Sequence, residues 1–252
     1  MFILSRTALL ATSLVALALP SAALADALVV RSTGPSAVTY PIGRRLPPTE
    51  RIVLRAGDRV VLVGEGATRT LAGPGNFPVR ATTRTTQSRR STLNNYLSAS
   101  GGTISRTGAV RGGTNADVSA PNLWLVDVRR GGNFCVADAA NLTLWRPDMS
   151  EDTLLTVQVE GQARVRASVS FVAGQNFRGW PSATVPVTTG QAYRISGPGL
   201  EQPTQIILIP ITLPAPTGTG ADTESVANAL ADHGCTGQLA QLGDQLAQST
   251  AR

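Results

Sequence analysis

The sequence predicts a mainly β protein: a small N-terminal β domain, then an antiparallel β-sandwich, closed by a C-terminal αα-hairpin. Three observations predict it. The 252 residues include 25 Gly and 16 Pro, which sets many turns between short elements and argues against long helices. Apolar residues make up 42% and charged ones 15%, a balance suited to folded domains and not to a disordered chain. Apolar and polar residues form short strand-like runs over most of the chain as far as Ile211, and beyond it the spacing changes to three and four.

Residues 1–25 read as an export signal. Arg6 is the only charge, Thr7 to Leu19 is apolar or small, Pro20 breaks the run, and Ala23-Leu24-Ala25 supplies a small-x-small cleavage pattern. The run is short for a membrane span, so a retained anchor is the minor reading. Cleavage is expected before Asp26, with a periplasmic location. No paired arginines precede the apolar run, so the chain is expected to cross the membrane unfolded.

Residues 26–80 read as a small basic β domain with runs at Ala27–Arg31, Arg51–Leu54, Arg59–Val63, Ala67–Leu71 and Phe77–Val79. Turn signals such as Gly34-Pro35 and Gly73-Pro74-Gly75 separate them. Gly57 is expected at positive φ, with Asp58 bonding the turn backbone. Residues 81–121 read as a helix from Thr85 to Ser98, then a linker rich in Arg and Gly that ends at Pro121.

Residues 122–213 carry the sandwich, with runs at Leu123–Val128, Phe134–Ala137, Leu142–Trp145, Leu154–Val159, Val165–Phe171, Thr184–Val187, Ala192–Ile195 and Gln205–Ile211. Val165, Ala167, Val169 and Phe171 alternate strictly, which turns them to one face. Trp124, Trp145 and Trp180 are expected between the two sheets, the alternative being a stacking platform for a ligand. Residues 214–252 are a Pro/Gly linker and two helices. Asp222 or Thr223 caps the first, Gly234 stops it, and Leu239, Leu242 and Leu246 line the second.

Charge is uneven. All 22 basic residues are Arg; 13 of them lie between Asp26 and Ala116 against four acids, whereas 8 lie beyond against 12 acids. No acid occurs between Glu65 and Asp117, a stretch that includes Arg80, Arg84, Arg89, Arg90, Arg106 and Arg111. These six are the candidate contacts to an anionic partner. Nucleic acid is not expected, because an exported protein rarely meets it and Tyr96 is the lone aromatic between Arg80 and Arg111. An envelope protein, or an anionic envelope polymer or lipid, fits the compartment. The plainer reading is a solvated face neutralised by the acidic half of the same molecule.

Cys135 and Cys235 are the only cysteines, and in an oxidising compartment they read first as a disulfide. A catalytic pair of Cys235 with His233, the only histidine, is the weaker alternative. Asp148, Glu151 and Asp152 resemble a carboxylate cluster, but a solvated turn explains them. No GxSxG, GxGxxG, phosphate loop or HExxH occurs, so no enzyme activity, cofactor or metal is expected.

The run Leu54-Arg55-Ala56-Gly57-Asp58-Arg59-Val60-Val61-Leu62, with Thr70-Leu71 and Gly73-Pro74-Gly75, resembles the β repeats of FecR-type periplasmic sensor domains. The resemblance covers this stretch alone and implies a small β fold; that family's sensors carry a membrane anchor. In plan the chain also resembles a family of uncharacterised exported alphaproteobacterial proteins, through Arg106-Thr107-Gly108-Ala109-Val110-Arg111-Gly112-Gly113, Cys135-Val136-Ala137-Asp138, Leu144-Trp145-Arg146-Pro147 and Gly234-Cys235-Thr236-Gly237-Gln238-Leu239. It implies a scaffold held by both cysteines. The function expected is a non-catalytic periplasmic binding or scaffolding protein, engaging the periplasmic part of a membrane sensor. The alternative is a binder of anionic envelope polymers or lipids.

Overall fold

The computed structural model describes residues 26–80, 96–97, 118–217 and 219–250. The expectations for residues 1–25, and for most of the helix from Thr85 to Ser98 with its linker, lie outside the described residues. Of that helix only Tyr96 and Leu97 are described, and both are helical.

The first part holds β1 (Ala27–Thr33), β2 (Arg45–Leu46), β3 (Arg51–Leu54), β4 (Arg59–Gly64), β5 (Ala67–Ala72) and β6 (Gly75–Pro78). An antiparallel sheet in the order β2-β1-β4-β5 faces a two-stranded ribbon of β3 and β6. Val29, Val60 and Leu62 of the sheet meet Ile52 and Leu54 of the ribbon in one apolar core. Gly57 has a φ of 83°, a region that a Cβ disfavours. Its neighbour Asp58 accepts the Ser36 amide at 2.9 Å and the Arg55 amide, so one carboxylate ties two loops. The short 3-10 turn Pro35–Val38 and strand β2 carry too few residues for a periodicity to announce them.

The sandwich holds β7 (Leu125–Asp127), β8 (Gly132–Val136), β9 (Thr143–Trp145), β10 (Thr153–Val159), β11 (Arg166–Phe171), β12 (Phe177–Gly179), β13 (Ala192–Ser196) and β14 (Thr204–Pro210). A five-stranded sheet, β11-β10-β13-β14-β8, packs on a three-stranded one, β12-β9-β7. Val126 and Leu144 of the small sheet share a core with Leu155, Phe171, Ile195 and Ile206 of the large one. Most pairings are antiparallel, but β14–β8 and β7–β9 run parallel.

Three expectations need correction. Thr184–Val187 is not a strand: Pro186 interrupts it, and the amides of Thr184 and Val185 turn back onto the Pro181 carbonyl. Of the tryptophans, only Trp180 lies between the sheets, edge-on to Tyr193 with 5.1 Å between centroids. Trp145 packs with Leu125 and Ala120 away from that core, and Trp124 sits against the C-terminal helices. All three are buried, which leaves none as an open stacking platform. Finally, Thr219 caps the first helix, with Asp222 closing a reciprocal capping box from the third helical position.

That helix, α1 (Gly220–Asp232), and the next, α2 (Thr236–Thr250), form a hairpin. Leu230, Leu239, Leu242 and Leu246 bury one apolar stripe. The stripe covers Leu28, Val30, Val61 and Val63 on the far face of the N-terminal sheet. Strand β4 is thereby buried on both sides, which explains its unbroken Val60-Val61-Leu62-Val63. A bulge in β1 sets Val30 and Arg31 together opposite Val61. Val30 enters the apolar seam, while Arg31 reaches Asp244 on α2.

Candidate interaction surface

Cys135 on β8 and Cys235 at the corner of the helical hairpin are joined, with Cα atoms 5.9 Å apart and no free cysteine among the described residues. Both are buried in the seam between sandwich, hairpin and N-terminal sheet. His233 is the C-cap of α1, its Nδ1 2.9 Å from the Ala229 carbonyl. With its sulfur in the disulfide, Cys235 offers no thiolate for His233 to activate.

The carboxylate cluster also resolves into local structure. Asp148 accepts the Ser150 amide at 2.9 Å and its hydroxyl at 2.7 Å. These bonds, with a smaller contribution from Arg146, hold its pKa below the usual value against the opposing effect of burial. Asp152 accepts the Ala173 amide at 2.7 Å. Asp148 thus closes its own turn, and Asp152 ties the segment before β10 to the one after β11.

The arginines divide into two groups by what they meet. Those of the N-terminal sheet face the acids of the hairpin. Arg31 pairs with Asp244 at 2.8 Å, and Arg45 reaches Asp232 at 2.6 Å and Asn228 at 2.7 Å. Glu224 accepts the Gly66 amide at 2.6 Å on the same side. Arg44 bonds Glu50 at 2.9 Å and stacks on Tyr40, and Arg69 donates to the carbonyls of Pro78 and Val79. Much of the basic surplus read from residues 26–80 is therefore answered within the molecule. Sequence reasoning missed Asp232 and Asp244 as the answering groups. The acidic surplus beyond Asp117 was the signal that could have found them.

Arg80 is different. Its side chain is 56% exposed, and its ion pair with Glu65, at 3.7 Å, is looser than the pairs of Arg31, Arg44 and Arg45. It opens the acid-free stretch; Arg84, Arg89, Arg90, Arg106 and Arg111 lie outside the described residues. Within that stretch, Tyr96 and Leu97 are fixed to the body. Leu123 donates its amide to the Tyr96 carbonyl at 3.1 Å, and Trp124 Nε1 donates to the Leu97 carbonyl at 2.8 Å. The Tyr96 ring is buried in the hairpin seam. Burial pushes its phenol pKa up, the Asp244 carboxylate pushes it further, and Arg130 opposes both.

Chemically this surface can present guanidinium groups to carboxylates or phosphates, which their forked donors grip in pairs. Among the described residues no group of three or more His, Cys, Asp or Glu is placed to hold a metal ion. Comparison with family models, with curated proteins and with solved structures finds no match for this chain.

Proposed function

We propose that this chain is a non-catalytic binding or scaffolding protein of the periplasm, which engages an acidic protein partner through Arg80, Arg84, Arg89, Arg90, Arg106 and Arg111. One observation carries the reading. Arg31 and Arg45 of the N-terminal sheet are paired with the hairpin's own acids, whereas the acid-free stretch starts at an exposed Arg80 and is pinned at Tyr96–Leu97. The partner class proposed is the periplasmic part of a membrane sensor.

The test replaces Arg84, Arg89 and Arg90 together by Gln and compares capture from envelope extract with thermal stability. The reading requires one polypeptide retained by the parent chain at moderate salt, lost by the variant, with stability unchanged. Retention of many anionic polymers, falling steeply with salt, favours the envelope-polymer reading instead. Unchanged retention by the variant sinks both.

A further inference from the structure

A cleft of about 620 Å³ opens at the sandwich, between the β7–β8 turn, the loop after β9 and the β13–β14 loop. Its size suits a small molecule. One wall is Arg146, only 5% exposed. The guanidinium donates to Thr153 Oγ1 at 2.6 Å and to the carbonyls of Glu151, Gln175 and Val172 at 2.7, 3.2 and 3.4 Å. All four acceptors are neutral, and among the described residues Arg146 has no salt-bridge partner. Guanidinium carries five N–H groups, so among the described residues one on Nη1 is left without an acceptor. Nη1 is the nitrogen that bonds Thr153, and Thr153 itself lines the cleft.

The Arg146 charge meets only the face of the Phe171 ring, 5.1 Å from the guanidinium carbon, and the field of Asp148 with no ion-pair contact, so a carboxylate docked against it gains a direct counter-charge. The rim has the opposite sign. Asp148 and Glu201 are exposed there, while Leu155 and Leu200 give the interior an apolar lining. Positive wall, negative rim and apolar lining together select a ligand with both charges on a short frame. We propose that this cleft binds a free amino acid or short peptide, its carboxylate on Arg146, its ammonium between Asp148 and Glu201, and its side chain against Leu155 and Leu200. The site is separate from the arginine stretch, and its failure leaves the partner reading untouched.

The experiment titrates the full chain, disulfide intact, with the dipeptides Ala-Ala and Leu-Ala, and with their N-acetylated and C-amidated forms. The readout is the methyl resonances of Leu155 and Leu200. Saturable shifts are expected from the free-ended forms, with binding at least about tenfold weaker for the amides. Glu201→Gln should weaken the free-ended dipeptides about threefold and leave the acetylated ones unchanged. Arg146→Lys, if folded, should lose binding. Because Arg146 also ties the β9–β10 and β11–β12 loops together, Gln202→Trp at the exposed rim provides a second, sterically blocked variant expected to stay folded without binding. Absence of saturable shifts, equal binding of amides, indifference to Glu201→Gln, or full binding by Gln202→Trp or by a folded Arg146→Lys each overturns the assignment.

Discussion

The side chain of Gln238 closes both backbone groups of Cys135: its Oε1 accepts the Cys135 amide at 2.7 Å, and its Nε2 donates to the Cys135 carbonyl at 3.0 Å. The same Nε2 reaches the Leu123 carbonyl at 3.1 Å. Strand β8 is an edge of the large sheet, and a helix amide here stands in for the next strand. The disulfide and this amide grip the same residue from the same helical hairpin.

Gln238→Ala should therefore destabilise the protein by about 3 kcal/mol, because three buried backbone groups lose their partner. Gln238→Glu should be no milder, since it cannot donate to either carbonyl. Urea unfolding under non-reducing conditions checks both. A loss within experimental error would show that water replaces the amide.

Replacing Cys135 and Cys235 by Ala should cost roughly 4–5 kcal/mol, the value expected for a cross-link closing a loop of about 100 residues. The hairpin should nevertheless stay seated, because its apolar stripe is independent of the sulfurs. Circular dichroism retaining the helical signal, with a lowered urea midpoint, is the expected result. Loss of the helical signal in water would place the hold in the cross-link alone.

Gly243→Ala should destabilise, although alanine favours a helix interior by about 1 kcal/mol. A Cβ at this position would stand 2.6 Å from both the Val30 carbonyl oxygen and the Arg31 Cβ, so the helix must back away from β1. Overpacking of that kind costs roughly 1–3 kcal/mol, and it wins or at least cancels the gain. A raised melting temperature would contradict the close approach.

Asp58 gives a pH prediction. Burial raises its pKa, but the Ser36 hydroxyl, then the Ser36 and Arg55 amides bonded to the carboxylate and the Arg55 charge, overcome this and hold it below the usual value. A depressed folded pKa contributes stability above the unfolded value near about 4 and loses it as pH falls through the folded one. Asp58→Asn should thus lower the urea midpoint at pH 7, and the gap to the parent should narrow at pH 3. A gap independent of pH would mean that the bonds, not the charge, matter.

Much of the fold was legible because burial leaves a period in the sequence. The alternation from Val165 to Phe171 marked β11, and Leu239, Leu242 and Leu246 marked the inner face of α2. The pairing of strands was not legible in the same way. Ile206 opposite Gly132 is a contact between distant stretches, and nothing in either run states its direction. Nor did any local pattern separate Trp180, between the sheets, from Trp145 on the other side of the small one. One ends a short strand, the other directly follows one, and both are buried. The charge asymmetry was plain, but which arginines it left exposed depended on where Asp232 and Asp244 would land.

The hairpin that covers Leu28 and Val30 is made almost a full chain length after them. A chain emerging from its N-terminus can pair β1 with β4 early, yet that sheet keeps one apolar face open until α1 and α2 arrive. Contacts of such sequence separation form late, because the loop between them must be closed first. The interval exposes a valine- and leucine-rich surface to other chains, and a chaperone would shelter it. Shortening the chain ahead of Gly220 should therefore unfold its beginning rather than merely trim its end.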